Sequence, residues 1–297
     1  MEHRELIAAL EAAEGSLVFG GPIALDPIQK NVYRLTAGSS AYLLKWIDDD
    51  DERGLHEIDA NRNFLTERDI AAPLLIMTRR VDGGTVACWE WLDGSSLRDR
   101  HRSLLPTAFS EIARFHARRR HDGPVVSPTL RQTLPSVAAL VDAEIEHLLP
   151  VVERSQRRVC AACLMRLVQG YATVIHGDVH PGNIVLTERG LHFVDWSHAV
   201  ASLSFFDLEY VESVPLDPPM QSGAYMPPPE SAGILKAYAD HCGIPDLDIT
   251  GVHLAVMLWR DLHYYVSSRQ QAHRDERRDA IYRRRLAQLI GHARERT

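Results

Sequence analysis

Lysine is scarce in this chain: Lys30, Lys45 and Lys236 are its only lysines, and every other basic side chain apart from histidine is Arg. The cysteines are few as well. Cys160 and Cys163 form a lone C-x-x-C in a helix-like run. With no second pair to complete a zinc site, they read, with Cys88 and Cys242, as structural thiols. No apolar run approaches the ~20 residues that span a bilayer. The charged start Met1–Ile7 lacks the pattern of a signal peptide, so a cytoplasmic protein without membrane contacts is expected. A formal net charge of -7 argues against nucleic acid, whose phosphates reward broad positive fields. Glycine is missing from the segment Asp26–Asn31, where a phosphate-covering loop would be sought. No internal repeat is visible.

What remains is an ordinary globular composition, 45% hydrophobic and 25% charged over 297 residues. Residues 2–13 carry an amphipathic helical pattern. Strands are predicted at Asn31–Leu35 and Ala41–Ile47 around Ala37-Gly38-Ser39-Ser40, and at Leu74–Arg80 and Thr85–Leu92 around Asp82-Gly83-Gly84. The acidic run Asp48–Glu52 reads as a solvated loop, and a helix over Leu55–Arg68 stops before Pro73. Beyond Gly94-Ser95-Ser96 the pattern is helical: Leu105–Arg118, Leu134–Val151, Ala161–Tyr171, Ser231–Cys242, Val252–Arg269 and Arg274–Arg296. The proline-rich segment 215–229 cannot be helix or central strand. Two domains are expected, a β-rich unit over 1–92 and a helical unit over 93–297.

One phrase interrupts the helical half: His176-Gly177-Asp178-Val179-His180-Pro181-Gly182-Asn183, followed after a short hairpin by Val194-Asp195-Trp196. Four residues separate Asp178 from Asn183, the spacing of a kinase catalytic loop. Phosphoryl transfer from a nucleotide needs a carboxylate to orient the incoming hydroxyl, and an amide and a further carboxylate to hold Mg²⁺. Asp178 is the candidate base, and Asn183 and Asp195 the candidate metal ligands, meeting around one ion. Lys45, at the end of an alternating strand, is the candidate phosphate-binding amine. Glu57, in the following helix, is its expected partner in preference to Glu52 or Glu67. Glu90, Trp91 and Leu92 are expected to hold the nucleotide base. Asp207, between large apolar residues, reads as a structural acceptor for catalytic-loop amides. His176 reads as a support of that loop. For His180 a structural role and a role at substrate remain equally open.

Taken together, these residues resemble the aminoglycoside phosphotransferase and choline kinase-like family. The matching phrases are Lys45, Glu57, Leu92–Leu97, Ile112–Ala117, His176–Asn183, Val194–Trp196 and Phe206–Leu208. The resemblance implies an α+β, two-lobed protein-kinase-like fold with a small β-rich N-lobe and a mainly helical C-lobe. It also implies ATP or GTP, Mg²⁺, and transfer to a hydroxyl of a small-molecule acceptor. Three features depart from the family pattern: Ser204-Phe205-Phe206 before Asp207, Ser197 two residues after Asp195, and the absent loop glycines.

An antibiotic is the first acceptor class expected, which would make the chain a resistance kinase. A sugar, amino alcohol or choline-like metabolite is the second, and a catalytically silent binding protein the third. Polycationic acceptors would call on Glu209, Glu212, Asp217, Glu230, Asp240 and Asp261. Trp259, His263, Tyr264 and Tyr265 on the penultimate helix are candidate stacking groups, with helix packing the favoured reading of any single ring. A monomer or homodimer is expected.

Overall fold

The computed structural model describes residues 23–65, 69–100, 102–211, 229–244, 246–270 and 276–296. The predicted helix at 2–13 and the 215–229 segment up to residue 228 lie outside them. The chain divides into two compact units. One runs to Ser95 and adds Val185–His198, and the other comprises Ser96–Ile184 and the chain from Ala199 onward.

The first unit is built on an antiparallel five-stranded sheet in the order β1-β2-β3-β5-β4. Its strands are β1 (Ile23–Gln29), β2 (Val32–Ala37), β3 (Ser40–Asp48), β4 (Leu75–Val81) and β5 (Gly84–Glu90). Side chains alternate between faces. Leu44 and Trp46 join Leu35, Val86 and Cys88 on one face, and Ile47 joins Ala87, Trp89 and Ile58 on the other. The segment Asp26–Asn31 is mostly strand, not a loop. β1 reaches Gln29, and the turn into β2 is just Lys30 and Asn31. Asn31 sits at φ 62, and Asn tolerates this left-handed conformation better than most residues, so the turn closes without glycine.

Helix Glu52–Asn63 follows β3. It starts earlier than its apolar pattern indicates because the Asp51 side chain accepts from Gly54 N at 3.1 Å, an N-cap. The acidic run is therefore partly structural. Asp48 also accepts from the Trp46 indole at 2.6 Å. Strand β6 (Gly94–Ser96) pairs with the hairpin β10 (Ile184–Thr187) and β11 (Gly190–Phe193). Gly94 is required here, since a Cβ would lie 2.3 Å from Leu186 O.

The second unit is mainly helical. Helix Leu105–Arg118 has Pro106 in its first turn and buries Phe109, Ile112, Ala113 and His116 at helical spacing. The predicted helix Leu134–Val151 is trimmed at both ends. Ser136 caps Ala139 N at 3.2 Å, so the helix starts at Val137. Leu134 belongs to the short strand β8 (Thr133–Leu134), paired with β7 (Val125–Val126). At the far end Pro150 lacks an amide donor, and the chain tightens into a 3-10 turn over Leu149–Val151. Helices Arg157–Leu164, Pro229–Ala239, Ile249–Gln270 and Glu276–Glu295 complete the unit. β9 (Ala172–Ile175) pairs with β12 (Val200–Leu203) and delivers the chain to His176. All four cysteines are free and buried, and burial pushes the thiols of Cys160 and Cys163 up to about 11. No described helix is long and apolar enough to cross a membrane.

Candidate active site

In the first unit, strand periodicity places Lys45 on the face of Trp89 and of helix Glu52–Asn63. Register pairs Lys45 with Ala87 and Leu43 with Trp89. Lys45 Nζ donates to Glu57 Oε2 at 2.6 Å and lies 5.2 Å from the centroid of the Trp89 ring. Burial raises the Glu57 carboxyl above its ordinary range, opposed by the charge and hydrogen bond of Lys45. Glu52 is exposed at the helix start, and Glu67 lies outside the described residues.

Every predicted site residue of this unit borders one cavity of about 200 Å³: Lys45, Glu57, Glu90, Trp91, Leu92 and Asp195. Glu90 is tied by its carboxylate to Arg189 Nη2 at 2.6 Å. The Arg34 guanidinium lies 4.8 Å from the centroid of the Trp91 ring. Asp195 has φ 62, a strained conformation for a non-glycine residue, and such strain concentrates at functional sites. Ser197 Oγ donates to Asp195 Oδ1 at 2.7 Å, and the buried Trp196 donates its indole N–H to Phe193 O at 2.9 Å. Sequence reasoning missed Trp89 and the orienting role of Ser197. Register and side-chain direction are the only signals that reveal them.

In the second unit, β9 leads into the buried His176 and the chain turns at Gly177, whose φ of 79 favours glycine. Asp207 secures this turn. It accepts from His176 N at 2.8 Å and from Gly177 N at 2.7 Å, and His116 Nε2 lies 2.9 Å away. His116 Nδ1 in turn lies 3.0 Å from the Tyr238 hydroxyl. Burial alone would raise the Asp207 carboxyl. The hydrogen bond and charge of His116, with the His176 contacts, hold it below the usual carboxylate range. Asp207 is thus the structural acceptor that the sequence indicated.

Asp178 and Asn183 are brought together. Asn183 Nδ2 donates to both the Asp178 backbone carbonyl and Asp178 Oδ2, each at 3.0 Å. Both contacts use the amide nitrogen of Asn183 and neither uses its carbonyl oxygen. Among the described residues no cluster of three or more His, Cys, Asp or Glu side chains is arranged to hold a metal.

Several candidates for the acceptor wall are core residues. Trp259 is 3% exposed, stacks on Phe206 at 4.1 Å and donates to Glu144 Oε2 at 3.0 Å. Asp261 is fully buried between Arg260, at 3.1 Å, and Arg285, at 2.8 Å. Asp240 pairs with Lys236 in the open. Glu209 is half-buried, and burial pushes its carboxyl up to about 8 against the pull of Arg260. Glu212 and Asp217 lie outside the described residues.

The sequence model of the phosphotransferase enzyme family APH matches residues 22–220. The chain belongs to this family. It is a phosphotransferase of the small-molecule kinase type with a protein-kinase-like fold. A search of curated proteins found no match. Among solved structures, the phosphotransferase is similar to the choline kinase LicA from Streptococcus pneumoniae, with 15% identity and a TM-score of 0.59 over 98% of this chain and 100% of that one. It is similar to an ethanolamine kinase from Plasmodium vivax, with 12% identity and a TM-score of 0.60 over 93% and 83% of the two chains. It is also similar to a thermostable mutant of the aminoglycoside phosphotransferase APH(4)-Ia in ternary complex with ADP and hygromycin B, with 12% identity and a TM-score of 0.56 over 94% and 97%. At these identities the likeness speaks to fold alone.

Proposed function

We propose that this phosphotransferase moves the terminal phosphoryl group of ATP or GTP to a hydroxyl of a small molecule, foremost an antibiotic, so that modification would confer resistance. The observation that carries the reading is the Asp178–Asn183 pair, held at 3.0 Å in a loop anchored by Asp207. Asp178 orients the acceptor hydroxyl and takes its proton late in a loose transition state. Lys45, held by Glu57, meets the nucleotide phosphates. The edge Glu90-Trp91-Leu92, beside the same cavity, offers backbone groups to the base.

Each unit carries one oxygen ligand of the kind that suits Mg²⁺, which takes hard oxygens and keeps several waters. Asn183 would offer its amide carbonyl, whose nitrogen is already engaged, and Asp195 its carboxylate, steadied by Ser197. When bound, Mg²⁺ neutralises charge on the phosphates. The described acids favour an acceptor with few positive charges. Asp261 is neutralised by two arginines, and Glu209 stays largely protonated below about pH 8. A sugar or amino alcohol is the second acceptor class.

Release of ADP or GDP over a panel of macrolides, aminoglycosides, nucleoside and peptide antibiotics, sugars and choline tests this reading. Turnover is expected with at least one hydroxylated antibiotic. Asp178→Asn should lower it about 10²–10⁴-fold while nucleotide still binds. A panel without any turnover, or full activity in the variant, would sink the proposal.

A further inference from the structure

His180 lies two residues beyond Asp178 and is only half-buried, yet its ring is held from several sides. Gly182 N donates to His180 Nδ1 at 2.9 Å. A ring nitrogen that accepts carries no proton, so the proton of the neutral imidazole sits on Nε2. Nε2 lies 3.7 Å from Asp178 Oδ2. The Tyr210 ring meets the imidazole edge-on, with centroids 5.8 Å apart and planes at 87°. Tyr210 is itself fixed through a hydroxyl contact of 2.8 Å with Tyr264.

The same residue, Gly182, also makes room for the ring. A Cβ there would lie 2.6 Å from His180 Cε1 and 2.8 Å from Nδ1. Gly182 is in a short 3-10 turn without the positive φ that would itself favour glycine. The space it leaves is the space the imidazole fills.

We propose that His180 is a positioning residue for Asp178, acting as a tautomer-locked donor to Oδ2. This inference rests on the assignment of Asp178 as base and deepens it. Asn183 Nδ2 already binds Oδ2 at 3.0 Å, and the Nε2–H of His180 approaches the same oxygen. Oδ2 is therefore the tethered atom, and Oδ1 is the atom left to receive the acceptor's proton. A separation of 3.7 Å exceeds a direct hydrogen bond. A small carboxylate rotation or one bridging water closes it, and catalytic hydrogen bonds often tighten only when substrate is bound. The outcome is a carboxylate that cannot swing between equivalent oxygens while the hydroxyl approaches.

The experiment combines rates with imidazole ¹⁵N NMR. ADP release from Mg-ATP is measured with water as acceptor, and with any acceptor found active, for the wild type, Asp178→Ala, His180→Ala, His180→Gln and Gly182→Ala. Loss of activity in Asp178→Ala confirms the base independently of His180, and its persistence would remove the premise instead. His180→Ala should lower kcat about 10–100-fold with an unchanged KM for ATP, since small misplacements of a reacting group have effects of this size. His180→Gln, which keeps a donor near the Nε2 position, should recover most of the rate. Gly182→Ala should resemble His180→Ala by pushing the ring aside. The wild-type spectrum should show the Nε2–H tautomer, and Gly182→Ala should lose that signature. A wild-type Nδ1–H tautomer, a wild-type rate in His180→Ala, or equal losses in the Ala and Gln variants would each overturn the proposal. Because the spectrum is read on the wild-type protein, the test survives even if His180→Ala fails to fold.

Discussion

Glu57 in the first unit and Asp207 in the second are both buried carboxylates, 6% and 1% exposed, but their surroundings drive them in opposite directions. Glu57 has one cationic partner, Lys45, at 2.6 Å. Desolvation outweighs that partner, and its carboxyl is raised. Asp207 has two backbone amides and an imidazole within 2.9 Å, and together they overcome the same penalty. The number of donors, not the depth of burial, decides the sign. A carboxylate saturated with donors is a fixed strut, suited to shaping the catalytic loop. One that shares a single lysine leaves that lysine able to turn toward a phosphate, as the proposed nucleotide site would require.

The sharpest way to break this contrast is to remove the strut. Asp207→Ala strands two buried amides and His116, and the loss of one partner from such an arrangement typically costs about 3–5 kcal/mol. A stability loss of that size is expected from urea unfolding. A change below about 1 kcal/mol would erase the distinction between the two carboxylates. The complementary variant is Lys45→Ala. Burial already pushes the Glu57 carboxyl upward, toward its neutral form, so stability should change by only about 1 kcal/mol. The KM for ATP should rise by about tenfold or more, a loss of about 1.4 kcal/mol of binding. Unchanged nucleotide kinetics would mean that another cation meets the phosphates.

A smaller effect separates the two kinds of carboxylate by pH. Glu209 titrates at about 8 in the fold against 4.5 ordinarily. The stability it contributes is complete below pH 4.5 and is lost as pH climbs through 8. Asp207 behaves inversely: its contribution is complete above its ordinary 3.8 and is lost as pH falls through its lower folded value. Thermal midpoints should therefore decline between pH 5 and 8 by an amount worth about 1–2 kcal/mol, less than the full shift because Glu209 is partly solvated. Glu209→Gln should flatten that decline, and an identical slope in the variant would place the titration elsewhere.

The contact between Asp178 and Asn183 was legible in the phrase His176–Asn183 because it depends on short spacing within one loop. Four residues between Asp178 and Asn183 suffice to let the amide reach the carboxylate. Lys45 and its strand were legible from period-two alternation, and helix Leu105–Arg118 from its apolar face, matching the structure at both ends. Boundaries went astray where one side chain or one missing donor outweighed the pattern: Asp51 at a helix start, Pro150 at a helix end, Asn31 at a turn without glycine.

The sequence by itself determined which residue types are present and how closely they are tethered, and this was enough to indicate phosphoryl transfer. Only the tertiary structure decided which of many similar groups carry charge into a site. Asp261 was one of several acids available to a cationic acceptor, and Trp259 was a candidate stacking group for which helix packing was the favoured reading; packing against Phe206, Glu144 and the pair Arg260 and Arg285 makes both core. His180, equally open between roles in the sequence, gains a definite tautomer only when Gly182 N and the Tyr210 ring surround it. The physical reason is common to these cases. Burial and partner count set the state of an ionisable or aromatic side chain, and both arise from segments distant along the chain, beyond the reach of local pattern.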